Sequence, residues 1–359
     1  MPQGSDRTGN RPQEPVEPLP YDREEIRIDT PIDGVTLAGT LTRPRTPGPH
    51  PAALLITGSG PHDRDETVFG HRPFLVLADH LTRLGLAVLR LDDRGVGGST
   101  GNRTTATSAN FAADARAGFD FLRLRPEIDP RRTGMVGHSE GAVIAPMLAA
   151  ESTHVAWIVM LAGAGVSGEL ILLAQADLIN EAAGVPQELR TQLTSLGESM
   201  YAVVNSEPDD ETAQARIGQL IESAEQTIGS AAGADAAQLL AQIKSQVPRI
   251  TTRWFRYFLR YDPAPALGRV GCPVLALNGE LDLQVPATQN LPTIVAALEA
   301  GGNPDYEAAK LPRLNHLFQT AETGSPTEYA AIEETFAPAA LKLLTDWLWR
   351  HGVLAGTPR

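Results

Sequence analysis

Thr133-Gly134-Met135-Val136-Gly137-His138-Ser139-Glu140-Gly141-Ala142-Val143-Ile144-Ala145 is the stretch on which the reading of the fold turns. An apolar run ending at Val136 reads as a buried strand, and the apolar residues from Ala142 to about Ala150 read as a helix. Between them lies Gly-x-Ser-x-Gly. A strand that turns sharply into a helix exposes the central serine hydroxyl at the strand's carboxyl end, where it can act as a nucleophile. The same pattern recurs at Gly97-Gly98-Ser99-Thr100-Gly101, but the polar run Asn102 to Ser108 follows it and starts no helix at once. Ser139 is therefore the candidate nucleophile, and Ser99 reads as a loop serine.

Working outward, buried runs alternate with amphipathic stretches. Ala52–Thr57, Ala87–Leu91, Thr133–Val136 and Val155–Leu161 read as strands, and Phe74–Leu84, Phe111–Leu124 and Ala142–Ala150 as helices. Such alternation predicts right-handed βαβ units and a mostly parallel sheet covered on both faces, an α/β fold. Ahead of it, segments at Glu25–Asp29 and Val35–Thr42 flank Asp33-Gly34 and predict a hairpin. From Ser167 to Pro265 strand character vanishes, and Ala, Gln, Glu and Leu recur at helical spacing, which predicts a helical insertion. Strand signal returns at Pro273–Leu277 and weakly at Tyr306–Leu311, with helices at Leu291–Ala300 and Ile332–Trp349. The expected organisation is an arm over 1–20, a core over 21–166 and 266–359, and the insertion over 167–265. The arm, with several prolines and no apolar run, is expected to be disordered.

Bulk properties exclude several classes. A net charge of −13 spread along 359 residues repels phosphate backbones, so nucleic acid is not an expected partner. One cysteine, Cys272, makes neither an internal disulfide nor a thiolate metal site. The longest apolar stretch, Val155 to Val166, falls short of the roughly 20 residues that a membrane span needs. With no signal-peptide pattern in view, the expectation is a cytoplasmic chain. There is no His-Glu-x-x-His, no P-loop, and Gly95 to Thr100 lacks the last glycine of a dinucleotide fingerprint. No cofactor and no metal are expected.

A serine hydroxyl needs a base to take its proton and a carboxylate to hold the base's tautomer. In a strand–Ser–helix site of this kind both follow the serine along the chain. Of eight histidines, only His316 and His351 lie beyond the strand at Pro273–Leu277. His351 sits beside Gly352 at a helix end and reads as a cap or a solvated side chain, which leaves His316. The run Val274–Leu277 ends in Asn278-Gly279-Glu280-Leu281-Asp282, placing two carboxylates at a strand's carboxyl end, where active groups gather in open sheets. Asp282 is preferred to Glu280 because the Asn278-Gly279 turn needs a few residues before a side chain can point back at the histidine. An anionic intermediate also needs N–H donors. The residue after the nucleophile, Glu140, supplies one. The glycine-rich loop Thr57-Gly58-Ser59-Gly60 supplies the other, at Ser59 or next to it at Gly60. Trp254, Phe255 and Phe258 at the end of the insertion are candidates to line an acyl pocket, against the plainer reading of aromatic core.

These residues resemble the α/β-hydrolase superfamily over nearly the whole chain from Glu25 onward, the insertion excepted. The segments Ile56 to Pro61 with Asp63-Arg64-Asp65-Glu66, Asp92 to Ser99, the Ser139 elbow, and Leu314-Asn315-His316-Leu317-Phe318-Gln319 look like a bacterial carboxylesterase branch. The resemblance implies a triad of Ser139, Asp282 and His316, an oxyanion loop at Ser59, and a helical lid formed by the insertion. It implies a small-molecule ester substrate, with short to medium acyl chains favoured because Thr57-Gly58 replaces the His-Gly signature of many lipases. Asp93, Arg94 and the Asp63 to Asp65 run read as loop scaffold. A peptidase or thioesterase would use the same triad, and a non-catalytic binding protein would be expected to lack a triad member.

Overall fold

Strand sequences such as Leu54-Leu55 and Met135-Val136 carry apolar side chains at every position because both faces of their sheet are covered. A computed structural model describes residues 9–354 apart from Asp33, with the side chains of 229–235 also outside the description. The arm's residues 1–8 and Asp33 of the expected turn thus lie outside the described residues. The chain runs β1 (Tyr21–Asp29), β2 (Thr36–Pro44), β3 (His50–Ile56), α1 (Pro73–Arg83), β4 (Ala87–Leu91), α2 (Ser108–Arg123), β5 (Ile128–His138), α3 (Glu140–Ala149) and β6 (Ile158–Leu161). A wholly helical segment follows: α4 (Gly168–Ala182), α5 (Gln187–Ser206), α6 (Asp210–Thr227), α7 (Gly229–Ser245), α8 (Val247–Ile250), α9 (Arg253–Arg260) and α10 (Ala264–Leu267). The sheet resumes with β7 (Val274–Gly279), α11 (Ala287–Ala300), β8 (Tyr306–Leu311) and α12 (Pro338–Arg350).

One sheet holds all eight strands in the order β1-β2-β4-β3-β5-β6-β7-β8. The β1–β2 and β2–β4 pairs are antiparallel, and every pair from β4 to β8 is parallel. Alternate strand residues enter opposite cores. Leu54, Leu89, Met135 and Ile158 pack with Phe119 of α2, Ile144 of α3 and Ile294 of α11. Leu55, Val88, Val136 and Val159 pack with Phe74 and Leu77 of α1 and with Leu344 and Trp347 of α12. The helical segment carries a core of its own, including Leu193, Met200, Ile217, Leu240 and Leu259. None of its helices, nor any other among the described residues, is long and apolar enough to cross a membrane.

Two expectations are corrected. The arm expected to be disordered over 1–20 is held in place from Arg11 onward. Gln13 accepts from the backbone N–H of Thr335 and Phe336 and donates to the Phe336 carbonyl, while Arg11 donates to the carbonyls of Ala330 and Ile332. The closing helix, expected from Ile332, begins at Pro338, a residue suited to a first helical turn. The two corrections share a cause. Residues 330–336 are not helical, so their backbone groups need partners elsewhere, and the arm's side chains supply them.

Candidate active site

The strands β3, β5, β7 and β8 run parallel, so their carboxyl ends open on one edge of the sheet. At the end of β5 the chain must turn into α3 within one residue. That residue is Ser139, at φ 54° and ψ −113°, a backbone region that a side chain other than glycine enters only when its surroundings hold it there. The flanking glycines make the turn feasible. A Cβ at Gly137 would run into the Gly141 carbonyl and stand 2.6 Å from Ala142 N, and one at Gly141 would run into the Ile56 carbonyl and stand 2.7 Å from Thr57 O. Ser99, in the other Gly-x-Ser-x-Gly, is a buried brace: its Oγ donates to the Asp92 carbonyl and accepts from Ala38 N–H.

The loops after β7 and β8 bring Asp282 and His316 together. His316 Nδ1 donates to Asp282 Oδ2 at 2.9 Å, and both residues are buried. The other carboxylate oxygen, Oδ1, accepts the backbone N–H of Gln284 and Val285. Because a carboxylate only accepts, the proton sits on Nδ1 and His316 Nε2 is left as the acceptor. Glu280 points elsewhere, accepting from Arg313 N–H at the surface.

Ser139 reaches this pair through its chain neighbour. His138 Nε2 donates to the His316 carbonyl at 3.0 Å, and the two imidazole rings lie 4.9 Å apart between centroids. Among the described residues Ser139 Oγ makes no hydrogen bond to His316, a contact that commonly tightens only with substrate bound. The glycine-rich loop after β3 lies against the same turn: a Cβ at Gly58 would be 3.2 Å from Ser139 Cβ. Neither Ser59 N–H nor Glu140 N–H donates to an acceptor among the described residues. Gly60, at φ 134°, lies one residue further along that loop.

Among the aromatic candidates, the Trp254 and Phe258 rings stack with centroids 5.3 Å apart, while Phe255 is buried in the core of the helical segment, against which Trp254 also packs. Trp254 Nε1 donates to Glu140 Oε1 at 2.9 Å, and Ser108 Oγ donates to the same oxygen. Burial pushes the Glu140 carboxyl above its ordinary range despite those two donors. Glu140 lies between two cavities. One is lined by Thr57, Gly58, Asp93, Arg103 and Phe111, and the other, largely apolar, by Val143, Val166, Ile171, Phe258 and Tyr261.

The loop residues read as scaffold are densely paired. Arg94 forks onto Asp114 with contacts of 2.6 and 2.7 Å, and Asp93 accepts from Thr57 Oγ1, His62 N–H and Arg103. Arg64 grips Asp92, Asp65 pairs with the buried Arg90 of β4, and Asp63 accepts the N–H groups of Asp65 and Thr67. Among the described residues no group of three His, Cys, Asp or Glu side chains is placed to hold a metal ion. Cys272 is free, its thiol pushed up to about 12 by burial.

A buried pair that the sequence did not single out is Glu66 with His138. Glu66 Oε1 accepts both Gly58 N–H at 2.6 Å and His138 Nδ1–H at 2.9 Å. Burial alone drives the imidazole down and the carboxyl up. Their mutual attraction outweighs it, holding His138 above and Glu66 below their ordinary ranges. In sequence, Glu66 is one acid in the run Asp63-Arg64-Asp65-Glu66, and nothing local marks it as the one that turns inward.

The model of the family described as serine aminopeptidase, S33, matches residues 72–282. The chain belongs to that family. The matched stretch holds the Ser139 turn and ends at Asp282, with His316 beyond it. The chain is 31% identical over 147 residues to the esterase EstD of Thermotoga maritima, a match covering 41% of this chain and 34% of EstD. The chain thus spans about a third of that curated relative. An esterase of Pyrococcus furiosus superposes with a TM-score of 0.55 at 15% identity, covering 95% of this chain and 97% of that one. A proline iminopeptidase of Mycobacterium smegmatis superposes with a TM-score of 0.54 at 16% identity, covering 91% and 98%. At such identities these two show the fold, and it is the α/β-hydrolase fold.

Proposed function

We propose that the protein hydrolyses small carboxylic esters, of short to medium acyl chain, through an acyl-enzyme on Ser139. His316 Nε2 takes the serine proton as general base and returns it to the leaving alcohol. Asp282 holds the Nδ1–H tautomer and steadies the imidazolium that forms. The N–H groups of Ser59 and Glu140 receive the oxyanion, each such donor being worth roughly 2.7 to 4 kcal/mol of barrier. The helices over 168–267 act as a lid whose α9 face, Trp254 and Phe258, closes the acyl side of the site. What carries the reading is the left-handed backbone of Ser139 at the β5–α3 turn, one residue from a histidine bonded to the loop of the buried His316–Asp282 pair.

The family's description makes aminopeptidase action the second reading. An aminopeptidase must meet a substrate ammonium, which calls for an ionised carboxylate free to receive it. The carboxylates beside the turn are engaged: Glu66 with His138, Asp93 with Arg103, Asp282 with His316, and Glu140 with two donors in surroundings that favour its neutral form. That favours a neutral ester. The test is fluorophosphonate labelling with peptide mapping, together with turnover of short-chain nitrophenyl esters against a chromogenic aminoacyl peptide. Label on Ser139 and ester turnover are expected. Label elsewhere, or cleavage of the peptide alone, would overturn the proposal.

A further inference from the structure

Glu66 and His138 touch every part of the proposed reaction site at one remove. Glu66 binds the N–H of Gly58, the residue before Ser59. His138 precedes Ser139, and its other nitrogen binds the carbonyl of His316 itself. Glu66 reaches inward from a left-handed backbone, φ 53°, and is 2% exposed. A carbonyl only accepts, so His138 Nε2 is a donor. A carboxylate oxygen that already takes a backbone N–H makes His138 Nδ1 a donor too. An imidazole that donates from both nitrogens is an imidazolium.

We propose that Glu66 and His138 are positioning residues, a buried ion pair that sets the oxyanion loop, the nucleophile turn and the base-bearing loop against one another. The inference rests on the reading of Ser139 as nucleophile. Neither residue touches the substrate. The titratable groups facing the pair are His62 from the loop after β3, Asp282 from the loop after β7 and His316 from the loop after β8. A neutral imidazole has one N–H, so deprotonating His138 releases either Glu66 or the His316 carbonyl. Since the folded protein holds the His138 proton more tightly than an unfolded chain does, the clamp is complete below the ordinary histidine range. It is lost as pH rises through the raised value.

The test follows the His138 imidazole by NMR in the whole protein, selectively labelled at histidine. Alongside it, kcat and KM for a short-chain nitrophenyl ester are measured from neutral to alkaline pH in wild type and Glu66→Gln. His138 is expected to titrate above the ordinary range, with kcat falling along the same curve and KM little changed. Glu66→Gln is expected to move both curves to lower pH and to reduce kcat by about tenfold to a hundredfold, the scale of a misplacement of order 1 Å. Should that variant fail to fold, the wild-type titration still decides: a His138 titrating at or below the ordinary range overturns the ion pair. A folded Glu66→Gln with wild-type kcat and an unmoved alkaline limb overturns the positioning role. Fluorophosphonate labelling of the wild type keeps the two claims apart, because an unlabelled Ser139 sinks the esterase reading, and the proposal with it.

Discussion

Gly141→Ala places a methyl group where α3 leaves the nucleophile turn and meets the end of β3. The new Cβ would sit 2.6 Å from the carbonyl carbon of Ile56 and 2.7 Å from the carbonyl oxygen of Thr57, closer still to the Ile56 oxygen. Carbon–oxygen contacts settle at about 3.3 Å or more. Relieving the Thr57 contact alone therefore takes about 0.6 Å, and relieving the Ile56 contact about twice that. All three obstacles are backbone, so no side-chain rotation absorbs the clash and α3 must move off β3. Thr57 leads directly into Gly58 and Ser59, so the shift widens the gap between the two proposed oxyanion donors. Displacements of about 1 Å cost roughly a hundredfold in turnover, and overpacking costs about 1–3 kcal/mol of stability. Gly141→Ala should thus lose about two orders of magnitude in kcat on a nitrophenyl ester while remaining folded by circular dichroism, with its urea midpoint lowered. A variant with wild-type kcat and midpoint would refute the claim that this glycine sets the spacing.

Ser139→Ala should lower turnover by up to about a millionfold without changing the unfolding midpoint, and residual activity near wild type would remove Ser139 from the mechanism. Asp282→Asn, which favours the wrong His316 tautomer, should cost about 10⁴ in kcat, read in the same assay. Because burial raises the Glu140 carboxyl, the wild type is most stable with that group protonated and loses stability as pH rises through its raised value. Glu140→Gln, fixed in the neutral form, should gain stability relative to wild type as pH rises, and urea unfolding at several pH values that shows a constant difference would contradict this. Asp114→Asn leaves the buried Arg94 guanidinium without its charge partner and should cost about 3 kcal/mol, measured by urea unfolding.

Much of this architecture is local enough to read along the chain. Period and composition locate β4 and β8 to the residue and place the other strands and most helices close to where they form, the central strands because a strand covered on both faces is mostly apolar. Chain order and strand ends lead to Ser139, His316 and Asp282, the last two of which are hydrogen-bonded in the fold. Ile332 to Ala337 carries helix-compatible residues and predicts a longer closing helix, but its backbone partners lie more than three hundred positions away, on Arg11 and Gln13. Phe255, beside Trp254 in sequence, enters the core of the helical segment, because neighbours on a helix are about 100° apart.

From the amino-acid order alone came the parallel sheet, the helical segment interrupting it, and a serine set where a strand must break into a helix. Each of these depends on neighbours within a dozen residues. Only the folded chain decided that Glu66 turns inward to His138, that His138 grips the His316 carbonyl, and that Trp254 reaches Glu140. Those contacts join residues from 72 to 178 positions apart. Burial gives such contacts their strength, and burial is a property of the assembled core that no local stretch of sequence carries.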